Sequence, residues 1–421
     1  MENLGFLPNL LTYSSLLRVT YCNKEALLMK LLILASHPVP YHASVFRRIS
    51  QQLAQAGHEC LVVYLSDFSL QEYFDRSFSV SFAWDEPLLE GYRSAILNKS
   101  INNQPHSFFD LKAPGWQQLL QSEKPTRLMV VTLNYLGAVS ATVQARLQGI
   151  PATLRCETSD AAFVRSNYKA LGRSLAYKSL YTLFDSAIAY GTLNRQHLLS
   201  HGFKPKQLGL SYFCVPDRFE SLSGEEKQRL RETLRHQLGF SEHQTVVLFC
   251  GKLIVKKNPE LLLEAVSQIP ETERCRLGVL YVGSGFLAEK LQSMVASIPE
   301  LKVHFAGFKN QQELPPYYLA ADLLVLPSRQ QGEVWGLVVN EALQAGLPCI
   351  VTDAVGCAAD FAGFPDFQVI PDNDSISLAK AITQVRDRPR DFERYRSLMK
   401  EFSEERSAQN ITDFLLSFSR C

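Results

Sequence analysis

Lys252 and Lys257 stand five residues apart in the run Phe249-Cys250-Gly251-Lys252-Leu253-Ile254-Val255-Lys256-Lys257-Asn258-Pro259. An apolar run ends there in a glycine, and a short turn leads to a helical pattern over 260–267. Such a turn can aim both ammonium groups at one place beyond a sheet edge. That suits a leaving group that gains negative charge, as a diphosphate does when its bond to a sugar is cut. A solvated basic loop is the plainer alternative for this segment alone.

Two carboxylates follow in Gln331-Gly332-Glu333-Val334-Trp335-Gly336-Leu337-Val338-Val339-Asn340-Glu341-Ala342-Leu343-Gln344-Ala345-Gly346. The pattern predicts a strand over 322–326, a loop from Pro327 and Ser328, and a helix from near Gly336 to Gly346. Glu333 then lies in the loop and Glu341 about a turn and a half inside the helix. Between them, free N–H groups near Trp335, Gly336, Leu337 and Val338 can hold a phosphate. One carboxylate can reach a sugar while the other accepts both hydroxyls of a ribose. Each glutamate taken singly suits a solvated surface; the spacing, with the glycine between, favours a site.

A third segment, Leu280-Tyr281-Val282-Gly283-Ser284-Gly285, is a strand running into a glycine turn and then a helix over 286–295. Glycines let a backbone approach a phosphate. Position 288 is Ala where a full GxGxxG would need Gly, so an ordinary strand-to-helix turn explains this piece equally well.

Elements that must position these residues alternate strand and helix along the chain. The strands read as continuous apolar runs, the mark of parallel sheets covered on both faces. The first half has strands over 31–36, 60–65, 128–132, 152–155 and 186–190, with helices over 44–56 and 136–148. The second half restarts with strands over 245–250, 277–282, 303–305, 322–326, 348–352 and 367–370. The expected fold class is therefore α/β, with two doubly wound Rossmann-like domains whose ligands sit beyond the carboxyl ends of the strands. A seam near 211–223 divides residues 29–215 from 216–400. Residues 401–421 form a last helix expected to brace the first domain. Residues 1–28, upstream of a second methionine at Met29, read as an extension.

A length of 421 residues exceeds what one core serves, about 250–300 residues. The formal net charge of +1 argues against nucleic acid as a partner of the whole chain. Nine singly scattered cysteines have no metal-ligand spacing and fit reduced thiols, so a cytoplasmic protein is expected, if not one at the cytoplasmic face of a membrane. No stretch reaches the roughly 20 apolar residues of a membrane span, and the N-terminus lacks the basic region of a secretory signal.

These motifs together resemble the family 4 retaining glycosyltransferases, the group 1 glycosyl transferases of GT-B fold. The Glu333–Glu341 segment resembles the family's E-x7-E signature. Gly251–Asn258 is similar to its G-R-L-x-x-x-K-G motif, Tyr281–Gly285 to its V-G-x-G turn, Val303–Gly307 to its V-x-F-x-G strand, and Thr352–Gly356 to its T-D-x-x-G loop. The likeness is strong over 245–385 and weaker in the first half. It implies two domains facing across a cleft and a nucleoside diphosphate sugar as donor, with no cofactor and no metal. It assigns Lys252 and Lys257 to the diphosphate, Glu341 to the ribose, Glu333 to the sugar, the backbone of Trp335, Gly336, Leu337 and Val338 to phosphate, and Gly307 and Phe308 to the edge of the base. Gly251 and Gly283 line the same face. Glu333, Lys252 and Lys257 would carry catalysis by front-face displacement with retention. Lys252 replaces the usual Arg, Asn258 a Gly, Trp335 a Phe and Pro216 an Asp. The histidine often found after the fourth strand is missing from Val131-Thr132-Leu133-Asn134.

The hydroxyl acceptor falls to the first domain, where His37, Tyr41, His42, Asn134, Arg155 and Glu157 stand at or after strand ends. Residues 163–184 carry Arg165, Lys169, Arg173 and Lys178 with Tyr168, Tyr177 and Tyr181 and no acidic residue. They suit peripheral membrane contact, with a solvated helix face as the alternative. Asp372-Asn373-Asp374 matches a metal-binding DxD but reads as a turn and N-cap before a helix. Two rival functions stay open: a degenerate, non-catalytic sugar-nucleotide binder, and an oxidoreductase. The second lacks a glycine fingerprint after the first strand, where Ser36-His37-Pro38-Val39-Pro40 stands.

Overall fold

The computed structural model describes residues 28–99 and 107–418. The expected extension over 1–28 lies outside them but for its last residue. Strands β1 (Lys30–Ala35), β2 (Glu59–Tyr64), β5 (Ser94–Ile96), β6 (Arg127–Val130), β7 (Ala152–Leu154), β8 (Ser186–Ala189) and β9 (Leu208–Leu210) form a parallel sheet in the order β5-β2-β1-β6-β7-β8-β9. A short antiparallel hairpin, β3 (Tyr73–Asp75) and β4 (Val80–Phe82), is inserted between β2 and β5. In the second half, β10 (Thr245–Cys250), β11 (Leu277–Val282), β12 (Lys302–Phe305), β13 (Leu323–Leu326), β14 (Cys349–Thr352) and β15 (Phe367–Ile370) form a parallel sheet in the order β12-β11-β10-β13-β14-β15.

Alternation within each strand feeds two cores. Val246, Leu248 and Cys250 join one hydrophobic cluster, Val247 and Phe249 the opposite one. Leu32 and Leu34 likewise separate from Leu31, Ile33 and Ala35. Both sheet faces are thus covered, which is why the strands are apolar throughout rather than at alternate positions. Each sheet reverses its strand order once, between β1 and β6 and between β10 and β13, and the loops leaving those strands border the crevice where open α/β sheets take ligands.

The helix Glu404–Ser417 buries Ala408, Ile411 and Leu415 in the first half's core beside Val45, Phe46 and Ile49. Its Ser407 hydroxyl lies 2.7 Å from that of Ser211. The two halves also share a core in which Tyr190 and Phe213 pack with Trp335 and Phe361. Several helix starts differ from the sequence reading. The helix expected from 286 begins at Ala288, because the Leu287 N–H is bonded to the carbonyl of Leu253. The first helix begins at Pro40, whose fixed φ suits the first turn.

Candidate active site

The turn after β10 is a 3-10 segment, Val255–Lys257, closed by Asn258 in the left-handed region at φ 51°. Asn is the residue after Gly that best tolerates this conformation, so the departure from Gly keeps the local backbone. Its side chain also accepts a hydrogen bond from Arg329 at 2.9 Å. The turn aims Lys257 at Glu333, with Nζ 2.5 Å from Oε2, and Lys256 at the carbonyl of Gly332 at 2.6 Å. Ser328 donates to the same Glu333 oxygen at 3.1 Å. Burial alone would raise the Glu333 carboxyl; Lys257 and Lys256 outweigh it and hold the group below its ordinary value.

Glu341 sits on the Leu337–Gln344 helix and accepts a hydrogen bond from the Tyr318 hydroxyl. Burial pushes its carboxyl up, against the opposing pull of Tyr318 and the Arg218 charge. It borders a largely apolar cavity of about 210 Å³, lined also by Gly251, Gly283, Phe308, Leu337, Val338 and Arg218. Lys252, Lys257, Glu333, Gly307 and Gly336 are not in that lining. Gly307 contributes through its backbone, its carbonyl accepting the Gly283 N–H at 2.8 Å. Gly336 caps the Leu337–Gln344 helix at φ 102°.

The Trp335 side chain is buried between the halves, its indole N–H donating to Asn340 at 2.7 Å, which leaves the backbone, the part assigned to phosphate, for a ligand. Two expectations are corrected. Lys252 is not free beyond the sheet edge but paired with Asp75 of the hairpin at 3.0 Å and set over the Phe78 ring. Arg155 is buried, stacked 3.9 Å from the Tyr190 ring centroid, and donates to the Ser211 carbonyl, so it supports the sheet rather than a pocket.

His37, Tyr41, His42, Asn134 and Glu157 come together around a second, polar cavity of about 270 Å³ in the first half. Tyr41 lines both cavities, which therefore adjoin. His42 Nε2 lies 3.0 Å from a Glu157 oxygen and 3.3 Å from the Tyr190 hydroxyl. A histidine on the first helix thus stands at this cavity even though none follows β6. The loop carrying Glu157 is anchored through the exposed Asp160, which bonds the buried His197 at 2.8 Å, with Tyr181 to His197 at 2.9 Å. His201 belongs to the same group and is bonded to the His197 carbonyl at 2.7 Å. Arg218, Tyr318, Lys256 and the hairpin residues Asp75 and Phe78 were not found from sequence. Lys256 lies within the Gly251–Asn258 motif beside Lys257, whereas the others reach the site from remote stretches with no motif of their own.

Residues 231–405, which hold the cavity-lining residues from Cys250 to Glu341, match the family model described as glycosyl transferases group 1. Over that region the chain is similar to the group 1 glycosyltransferases. Relatives include an uncharacterized glycosyltransferase of Methanocaldococcus jannaschii, 33% identical over 137 residues (32% of this chain, 33% of the relative). A D-inositol 3-phosphate glycosyltransferase of Nocardioides sp. is 35% identical over 172 residues (36% and 37%). The match thus spans about a third of the length of these curated relatives. In fold, the chain is similar to Anabaena HepE, solved with UDP and glucose, at TM-score 0.66 and 18% identity, covering 92% of this chain and 100% of that one. Sucrose-phosphate synthase of Thermosynechococcus elongatus gives TM-score 0.65 and 18% identity, covering 93% and 99%. The architecture is that of the GT-B glycosyltransferases, two Rossmann-like domains with parallel sheets.

Proposed function

We propose that this protein transfers a sugar from a nucleoside diphosphate sugar to a hydroxyl acceptor, with retention at the anomeric carbon and without a metal. The observation that carries the reading is the buried Glu341 carboxylate beside a cavity walled by Gly251, Gly283, Phe308, Leu337 and Val338. A carboxylate beside a largely apolar pocket suits the paired hydroxyls of a ribose, the apolar wall suits a base, and the first turn of the Leu337–Gln344 helix offers N–H groups to phosphate. The structural neighbour from Anabaena, solved with UDP and glucose, supports a nucleotide-sugar donor. Glu333 is ion-paired with Lys257 and so is a poor covalent nucleophile. That favours front-face displacement, in which lysines and helix N–H groups stabilise the departing diphosphate while it helps deprotonate the acceptor. The acceptor would enter at the cavity holding His37, His42, Asn134 and Glu157. The test is incubation with a panel of nucleotide sugars and assay of released nucleoside diphosphate. Activity that survives Glu341→Ala and Lys257→Ala unchanged would sink the residue roles; binding without turnover would favour a degenerate binder.

A second reading concerns where the reaction occurs. None of the described helices is long and apolar enough to cross a membrane. Yet Leu171 and Leu175 are 63% and 60% exposed, and with exposed Tyr168 they recur at helical spacing along one face of the Asn167–Tyr181 helix, just after the exposed Val164. Lys169 and Lys178 stand beside that face with no acidic residue over 163–184. Tyr177 and Leu180 of the same helix line the acceptor cavity. This favours peripheral docking on an anionic bilayer, at the cytoplasmic face, and a lipid-linked acceptor. Anionic liposomes should sediment the protein at low salt and zwitterionic ones should not; failure of the anionic arm rejects it.

A further inference from the structure

The Lys252 ammonium, assigned above to the donor's diphosphate, already has a carboxylate partner, and that partner comes from the other half of the chain. Asp75 ends β3 and holds Lys252 Nζ at 3.0 and 3.3 Å through its two oxygens. The hairpin that carries it reaches across the cleft as a built-in cover. The Ser284 hydroxyl donates to the Phe78 carbonyl at 2.6 Å, and Asn310 donates to the Ala83 carbonyl at 2.6 Å. Phe78 and Phe82 pack on Phe308 with ring centroids 5.0 and 4.5 Å apart. Phe78 and Trp84 both line the apolar cavity. Just beyond the hairpin, Glu86 pairs with Arg218 at 2.7 Å. The segment is thus fastened to residues on the cavity's rim and forms part of its wall.

We propose that the Tyr73–Phe82 hairpin is a lid on the donor site and that Asp75 is a stand-in for the donor's diphosphate, surrendering Lys252 when a nucleoside diphosphate enters. The inference rests on the donor-site reading above. A lysine left unpaired beneath a lid would be a partly buried charge without compensation. Asp75 supplies that compensation in the free protein, and a diphosphate supplies it with more charge and more acceptor atoms. Asp75 is geometrically separable from its own turn, because it spends Oδ1 on the Ser77 and Phe78 N–H groups at 2.8 and 3.0 Å while Oδ2 makes the closer approach to Lys252. An amide oxygen can keep the first role and not the second. Asp75 also makes the chain tell diphosphates from uncharged nucleosides: only a ligand that brings its own negative charge competes for Lys252.

The experiment is calorimetric titration of the full chain with UDP, GDP and ADP, then, for whichever binds, with the matching nucleoside. Asp75→Asn is expected to bind the diphosphate about fivefold more tightly, the scale of one partly exposed ion pair, with nucleoside affinity unchanged. In a Lys252→Met background, Asp75→Asn should change neither affinity, since there is nothing left to compete for. Diphosphate binding that is unchanged or weaker in Asp75→Asn, an equal gain for the nucleoside, or a gain that persists without Lys252 would each overturn the proposal. If Asp75→Asn does not fold, Asp75→Ser, which keeps an acceptor for the turn, is measured against the same expectations. Failure of every diphosphate to bind wild type would instead reject the donor-site reading itself.

Discussion

Lys257 Nζ lies 2.5 Å from Glu333 Oε2, both side chains largely withdrawn from water, and the two residues come from loops 76 positions apart. Both belong to the second half, and each compensates the charge of the other. Removing one partner leaves the other costly to keep in place, whereas removing both does not.

Lys257→Met should therefore lower stability by about 3 kcal/mol, as for other broken buried pairs, and Lys257→Met with Glu333→Gln should recover at least about half of that. Urea denaturation reads both. The Glu333 carboxyl is held below its ordinary value, so the pair's contribution is present at neutral pH and lost as pH falls through the folded-state value in acid. The wild type and Lys257→Met curves should accordingly converge below about pH 4.5, the ordinary value of a glutamate. A single substitution no worse than the double would contradict this.

Glu341 has the opposite sign. Burial raises its carboxyl, so its contribution to stability is fully present below its unfolded value and lost as pH rises through the folded one. Glu341→Gln should melt higher than wild type by a margin that grows as pH rises above about 4.5, the ordinary value of a glutamate. The same variant should lose roughly tenfold in its preference for a ribonucleotide over its 2′,3′-dideoxy counterpart, because one of the two oxygens proposed to accept from the ribose hydroxyls becomes an NH2 donor and the negative charge is lost. Scanning calorimetry and competition binding test the two halves separately.

Gly283 has φ 131°, and a Cβ built on it would stand 2.0 Å from the carbonyl oxygen of Gly251. Gly283→Ala must push the ends of β10 and β11 apart, at a cost of about 2 kcal/mol or more. Nucleotide binding should fall before the fold is lost, since both glycines line the apolar cavity. Gly57→Ala, where nothing lies within 4 Å of the added carbon, controls for the positive φ alone.

The Glu404–Ser417 helix closes the first half's core although it ends the chain's described residues. Leu415→Ala, at a fully buried position against that core, should cost about 2–5 kcal/mol. Loss of cooperativity, or two separate transitions by circular dichroism and intrinsic fluorescence, would indicate that the first half unfolds first once this brace is weakened.

Strands buried on both faces are legible because every position must be apolar, and β10, β11 and β15 run over the residues expected. Strands β3, β4, β5 and β9 were missed: each has only three residues, too few for a periodic signal. The side chains that misled were those whose partners lie far away in sequence. Lys252 reads as a free charge until Asp75 meets it, and Arg155 as a cleft residue until Tyr190 covers it.

Local order was written in the chain itself. Apolar runs, glycine turns and the Glu333–Glu341 spacing determine two doubly wound sheets and a helix N-terminus flanked by carboxylates, because backbone periodicity and turn geometry are properties of neighbouring residues. Tertiary structure alone decided which charges are free. Lys252 and Lys257 look alike in sequence, yet one meets Asp75 from the hairpin and the other Glu333 from the facing loop. An ion pair is a relation across space, and only the folded crevice brings its two ends together.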